Sequence, residues 1–372
     1  MTRSEGSISS DKTTMTNIEK QYSQSFTWNE ILSQGLVWQT VLDQLQDSLV
    51  IENILGASKN KREWVFVGCG TSFYLAEAAA ISWTLLTGRA ARAVPASEIL
   101  LFPKLFQAEG TEIQAVVISR SGRTSEAVRA VNVLKNDLRI PTLGITCAEN
   151  SELERVCDLS IALRAADEKS TVMTRSFTSM LLTIQLIAAR QAGDRQFMES
   201  LRAMAEQFAA RIRTLAEQLE AFVAQQAFAD YVFLGQGPFH GIAREAALKV
   251  MEMSCSYSQS FHALEFRHGP KAIVSPATCL TFLLSDTSQK AEVEVLSEMK
   301  ELGGVIIAIC NRADSEIHQN SDLVIKLEFL GDELALLAPY VVPCQLLGFF
   351  TGLRKGLNPD QPKNLTRVVI LD

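Results

Sequence analysis

Blocks of like charge are missing from these 372 residues, which carry 35 Lys plus Arg against 42 Asp plus Glu, a formal net charge of −7. Such a chain offers no footprint for a nucleic-acid backbone, so nucleic acid is not an expected partner. No CxxC pair occurs, and the seven Cys (69, 147, 157, 255, 279, 310, 344) are odd in number and sit mostly in apolar stretches. They read as reduced core thiols of a cytoplasmic protein rather than a disulfide framework. Also absent is the GxxxxGK[ST] loop of a nucleotide-binding P-loop. Residues 1–24 lack the apolar core of a signal peptide and are rich in Ser and Thr, which predicts a mobile N-terminal tail. One uncharged run, Leu334 to Leu353, is long enough to cross a bilayer, yet it contains Pro339, Pro343, Gln345 and Thr351 and stands alone. No Lys and Arg bias flanks it, so it is expected to be a helix buried between domains or subunits, with no membrane partner.

What is present is enough apolar material for two cores, 47% of residues against 21% charged. An internal repeat divides it. Val65-Phe66-Val67-Gly68-Cys69-Gly70 returns as Val232-Phe233-Leu234-Gly235-Gln236-Gly237, an offset of 167, and Ala76, Ala79 and Ala80 meet Ala243, Ala246 and Ala247. Ala115 to Ser119 is echoed by Thr281 to Ser285 at offset 166, and Ile145 with Asp158 by Ile309 with Asp322 at offset 164. Within the first unit, β-branched runs at 64–67, 115–118, 142–146 and 159–163 alternate with helical periodicity such as 124–138. The expectation is an α/β fold: two tandem domains, each a doubly wound, flavodoxin-like parallel sheet flanked by helices. The first domain spans 25–192 with the helical region Trp28 to Leu55 at its start, and the second spans 229–356. A connecting helix is expected over 193–228, since Phe197, Leu201, Met204, Phe208, Ile212, Leu215, Leu219 and Phe222 fall in steps of three and four. Residues 357–372 are expected to form a tail over the active site.

Ligands of open parallel sheets bind beyond the carboxyl ends of the strands, so the residues just after each strand carry the functional signal. After the first comes Gly68-Cys69-Gly70-Thr71-Ser72, with the hydroxyls of Thr71 and Ser72 at a helix start. After the second comes Ser119-Arg120-Ser121-Gly122-Arg123-Thr124-Ser125-Glu126. Four hydroxyls, a glycine turn, two guanidinium groups and a helix N-terminus suit a phosphate. Capping by Thr124 or Ser125 would account for one hydroxyl and leave the others without a role. In the second unit, Lys249 and Glu252 share a helix face amid Leu248, Val250, Met251 and Met253, where partial burial would raise a carboxylate's pKa toward proton-transfer values. Glu252 reads as the only carboxylate on that lysine-bearing face. His268 lies in a loop bounded by Gly269 and Pro270, and histidine is a residue type suited to proton transfer to a sugar oxygen.

These stretches, GCGTS, SRSGRT, ALKVME, EFRHGP and the terminal NPDQPKNLTRVVILD, resemble the sugar isomerase (SIS) family over about residues 28–372. The similarity is strongest to double-SIS proteins: the isomerase half of glutamine–fructose-6-phosphate aminotransferase and the aminosugar-6-phosphate deaminases. The resemblance implies that Ser72, Ser119, Ser121 and Thr124 hold a sugar phosphate, with Thr71 alongside and Arg120 in contact with it. It implies that Glu252 shuttles a proton between C1 and C2 beside Lys249, and that His268 opens the sugar ring from the neighbouring subunit of a homodimer. Thr171 and Thr174 would line the sugar. Arg123 stands where the aminotransferase pattern is acidic, and Arg367 where it has a C-terminal lysine; an always-protonated guanidinium cannot form a Schiff base. With under 30 residues before the first helix and no Cys there, a glutamine-hydrolysing domain is not expected. The reading is a deaminase that converts glucosamine or galactosamine 6-phosphate to a ketose 6-phosphate and ammonia, with no metal or organic cofactor. Its alternatives are a phosphosugar aldose–ketose isomerase, a fructosamine-6-phosphate deglycase, or a sugar-phosphate sensor without turnover.

Overall fold

Each repeat folds around one five-stranded parallel sheet. The computed structural model describes residues 17–46, 48–106 and 112–371. The first sheet holds β1 (Glu63–Gly68), β2 (Ala90–Pro95), β3 (Ile113–Ile118), β4 (Thr142–Thr146) and β5 (Leu159–Ala162) in the order β2-β1-β3-β4-β5. The second holds β6 (Asp230–Gly235), β7 (Tyr257–His262), β8 (Thr278–Leu284), β9 (Val305–Cys310) and β10 (Leu323–Lys326), and its order β7-β6-β8-β9-β10 is the same sequence of positions. Every neighbouring pair is parallel, the doubly wound α/β arrangement. All six residues of β3 and all seven of β8 are buried, as strands covered on both faces require. Strand β2, with its AARAVP sequence, carries little β-propensity and was not expected; it is a half-buried edge strand aligned by β1.

The repeat extends to the backbone. Gly70 and Gly237 both hold positive φ, 54° and 55°, in the turn from strand to helix. The helices that follow, Thr71–Thr87 and Pro238–Ser254, pack against each other across the two domains. Their closest approach is at Gly241, where an added Cβ would lie 2.6 Å from the backbone nitrogen of Ala78. Behind them runs the apolar helix Leu337–Arg354. The stretch Glu333–Arg354 is the one segment among the described residues apolar and long enough to span a membrane, and it is 94% buried in the protein core.

Two expected elements differ. The connecting helix is broken into Arg195–Ala209 and Ile212–Gln225. Its halves join one apolar core but pack on different helices: the first on those of the first domain, the second on Leu337–Arg354. Arg211, at the break, donates to the carbonyls of Lys326 and Leu327 and pairs with Glu328, which fixes the turn without Gly or Pro. The expected mobile tail lies largely outside the described residues, but Asn17–Tyr22 is a helix whose Tyr22 packs edge-on against Trp28 and Phe349. The helical region that follows comprises Phe26–Leu32, Gln34–Leu45 and Leu49–Ala57. Asp360 ties it to the C-terminal segment by accepting from the Ser25 hydroxyl at 2.9 Å and the Thr27 amide at 2.7 Å.

A side chain at 241 would wedge the two central helices apart. Gly241→Ala is expected to cost roughly 1–3 kcal/mol, seen as a lower urea midpoint, because the atom it meets is backbone that cannot rotate away.

Candidate active site

The topology reverses between β1 and β3, and the crevice beyond their carboxyl ends holds a cavity of about 230 Å³. Its walls come from five places in the chain. The turn after β1 contributes Thr71 and Ser72, the turn after β3 contributes Ser119, Ser121 and Thr124, and the loop before helix Arg175–Ala192 contributes Thr171 and Met173. Residues Leu365 to Val369 close one side, and Glu252 reaches in from the second domain.

Hydroxyls dominate the β3 turn. Thr124 occupies the N-cap of helix Ser125–Asn132 yet its side chain makes no capping bond; its Oγ1 lies 3.2 Å from Ser119 Oγ. Capping therefore does not account for these groups. The guanidinium groups behave differently from expectation. Arg123 is exposed and off the cavity wall. Arg120 lines the cavity but is 5% exposed and committed to protein partners. It donates to the carbonyls of Thr171 at 3.0 Å, Ser170 at 3.4 Å and Arg367 at 2.6 Å, and pairs with buried Glu168 at 3.7 Å. From the cavity wall it thus braces the Thr171 loop and the tail. The first amide of the following helix, Ser125, donates to the carbonyl of Val369 in the tail at 3.3 Å.

Two buried carboxylates missed in the sequence hold the Thr171 loop. Glu168 accepts from the amide and hydroxyl of Thr174, both at 2.7 Å, and from Ser176. Glu30, distant in sequence, accepts from the amides of Lys169 and Ser170 and from the Ser170 hydroxyl. Thr174 is therefore wholly buried and anchors the loop instead of lining the sugar, while Thr171 does reach the cavity. Arg367 lines the cavity, and its guanidinium pairs with Asp167 at 2.8 Å.

Opposite the hydroxyls stands a charge cluster. Lys249, wholly buried, places Nζ 2.5 Å from Glu252 Oε2, 3.2 Å from Glu245 Oε1 and 3.1 Å from Thr71 Oγ1. Burial alone would pull the Lys249 ammonium down, but the two carboxylates outweigh it and hold its pKa above the ordinary value. Glu252 is thus not the only carboxylate on the lysine face. Glu245, four residues before Lys249, shares it, and the buried member of the pair is Glu245, whereas the Glu252 side chain is 17% exposed. The i to i+4 spacing in REAALKVME was the signal that could have found it. His268 is exposed in its loop after β7 and does not line this chain's cavity. Cys69 does line it, but burial pushes its thiol up to about 11, which leaves it inert as a nucleophile. No cluster of metal-ligating side chains occurs among the described residues.

A hydroxyl-lined turn thus faces a buried lysine–carboxylate pair at the switch point of one of two repeated doubly wound domains. The SIS domain family matches residues 59–190 and 230–342, and the chain belongs to it. Among its relatives, glutamine–fructose-6-phosphate aminotransferase of Pyrobaculum aerophilum is 28% identical over 87% of this chain and 54% of its own length. The chain spans about half the length of that enzyme. A Streptomyces coelicolor protein described as a candidate D-galactosamine-6-phosphate deaminase, AgaS, is 27% identical over 97% of this chain and 95% of its own. The structure of tagatose-6-phosphate ketose/aldose isomerase from Escherichia coli superposes with a TM-score of 0.82, 23% identity, and coverage of 94% of this chain and 97% of that one, a shared fold. The chain is thus a double-SIS protein related to enzymes of phosphosugar and aminosugar metabolism.

The bracing role of Arg120 has a measurable consequence. Arg120→Ala would leave Glu168 buried without its cation and free the tail, so it is expected to cost roughly 3–5 kcal/mol of stability and expose the tail to protease. A variant of native stability with only a raised KM would return Arg120 to the substrate.

Proposed function

We propose that this protein is an aminosugar-6-phosphate deaminase, acting on glucosamine or galactosamine 6-phosphate by aldose–ketose isomerisation. The observation that carries the reading is that one cavity joins the Ser119, Ser121 and Thr124 hydroxyls to Glu252 and its Lys249 partner. The phosphate binds at the hydroxyls, with Ser72 and Thr71 beside it, and this places the far end of the sugar at Glu252. In the open-chain amine, the Glu252 carboxylate takes the proton from C2 and returns it at C1, while Lys249 protonates the C1 oxygen as the enolamine forms. Loss of a proton from nitrogen completes a ketimine, and water hydrolyses it to ketose 6-phosphate and ammonia. A proton next to an imine or carbonyl is acidic enough for a positioned base. Arg367 favours breakdown over synthesis, since it cannot bind the sugar as a Schiff base. The full-length similarity to the Streptomyces protein supports the same direction.

Ring opening falls to the partner's His268 in a homodimer. What supports this is that His268 is exposed and lies outside its own chain's cavity. The reaction belongs in the cytoplasm, where sugar phosphates are made.

Glu252→Gln keeps shape but cannot take a proton, so it is expected to cut kcat by roughly 10²-fold or more with little change in KM. Ser121→Ala or Thr124→Ala is expected mainly to raise KM, because phosphate is bound equally in ground and transition states. Wild type in heavy water should place deuterium at C1 of the ketose. If neither aminosugar phosphate releases ammonia while a neutral aldose phosphate isomerises, the activity is that of an isomerase.

Mixing inactive Glu252→Gln with inactive His268→Ala should restore part of the activity once subunits exchange. A fully active monomer in sedimentation would remove the partner's His268 from the scheme.

A further inference from the structure

The loop that carries His268 is fixed at both ends. It leaves β7 at His262, the last residue of that strand, whose ring stacks on the ring of His240 with centroids 3.8 Å apart and planes 16° from parallel. His240 lies on helix Pro238–Ser254, one turn before Arg244. Burial, with the charges of His262 and Arg244 beside it, pushes the His240 imidazole from 6.5 down to about 4, so it stacks as a neutral ring. At the other end Arg267 and Lys271, on either side of His268, reach the same Glu298 carboxylate of helix Gln289–Glu301 at 2.5 and 3.8 Å. Between these anchors Phe266 is wholly buried, yet His268 itself stays exposed. In the first repeat, 167 residues earlier, the paired positions are Phe73 and Pro95, the last residue of β2, which has no aromatic ring to stack. A ring at the helix position is common to both repeats, and the second ring is present only where the loop that follows bears a histidine.

We propose that His240 and His262 are positioning residues for His268, a stacked pair that seats the start of the loop on the central helix so that His268 is delivered to the partner's cavity at a fixed place. A group that moves a proton works only within hydrogen-bond reach of its oxygen, and an error of about 1 Å can cost roughly 10²-fold in rate. An exposed histidine keeps that precision only where the backbone beneath it is held. Strand β7 is at the edge of its sheet and pairs with β6 alone, so its last residue has sheet partners on one side only. The stack on His240 supplies the second hold at that point, and Glu298 supplies one beyond His268. Neither stacked ring lines this chain's own cavity. The role of His268 rests on the proposed ring opening across a homodimer; the seating of its loop does not.

Complementation between subunits tests it. His240→Ala is expected to lower kcat roughly tenfold or more with KM little changed, and His240→Phe, which keeps a ring for His262, to return most of the rate. Because the loop serves the partner, His240→Ala and His268→Ala belong to one group. Co-expressed with Glu252→Gln on separate affinity tags, His240→Ala should regain activity in the mixed dimer, where its own Glu252 meets the intact loop of the other subunit. Co-expressed with His268→Ala, it should not. A role confined to its own chain's cavity predicts the reverse pattern. That pattern, an unchanged kcat, or a phenylalanine variant no better than alanine overturns the proposal. Hydrogen exchange gives a readout independent of the reaction: amides 263–271 should exchange faster in His240→Ala and at the wild-type rate in His240→Phe, and unchanged exchange in the alanine variant also overturns it. If Glu252→Gln and His268→Ala fail to complement each other, ring opening across the dimer falls, and the exchange measurement alone decides the seating of the loop.

Discussion

The close crossing of the helices Thr71–Thr87 and Pro238–Ser254 is the constraint on which the site depends. These are the same helix of the two repeats, and they meet through small residues, with Gly241 seated on Ala78. At the crossing Glu77 pairs with Arg244, which are themselves equivalent positions at offset 167. Burial disfavours the Glu77 carboxylate, and the Arg244 charge is what offsets it. Arg244 also lies over the Tyr74 ring at 4.3 Å, so the contact combines ionic and aromatic character. Without this approach Thr71 of one domain could not lie 3.1 Å from Lys249 of the other.

The repeats then divide the work. The first keeps the hydroxyl turn after β3 and has Ser82 and Leu85 on its central helix, where the second has Lys249 and Glu252. In the second, the turn after β8 is satisfied internally: the amides of Asp286 and Thr287 donate to the Glu333 carboxylate. A carboxylate of the protein thus sits where the first repeat leaves its hydroxyls facing an open cavity. The hydroxyl turn lies in one domain and the lysine–carboxylate cluster in the other, and the crossing helices bring them together.

Much of this was legible because repeats and turns are local. The offset of 167 located both sheets, and Ser119 to Thr124 located the cradle, since strand ends and helix starts are coded by contiguous residues. What escaped were groups whose partners come from elsewhere in the chain. Nothing near Glu30 says that it will accept from the amides of Lys169 and Ser170, and Arg120 reads as a phosphate ligand until Glu168 and the tail are seen around it. Thr174 differs: its hydroxyl is taken by Glu168, six residues earlier in the same loop. The break at residues 210–211 escaped because the apolar stripe continues through it while the helices it packs on change.

The tail shows how one scaffold can host different chemistries. It is held largely through its backbone: Arg120 donates to the Arg367 carbonyl, Ser125 to that of Val369, and Arg129 to that of Leu371 at 3.1 Å, while the Leu371 amide donates to Ser125 Oγ at 2.9 Å. None of these four bonds uses the side chain at 367, which is half exposed and pairs with Asp167 at the rim. That position can therefore change identity without loosening the wall it belongs to. An amine there could attack a sugar carbonyl; a guanidinium holds its charge and cannot. With arginine in place, the acid–base pair that remains beside the cavity is the Glu252 carboxylate and its Lys249 partner, and the proposed reaction asks of them only proton transfer.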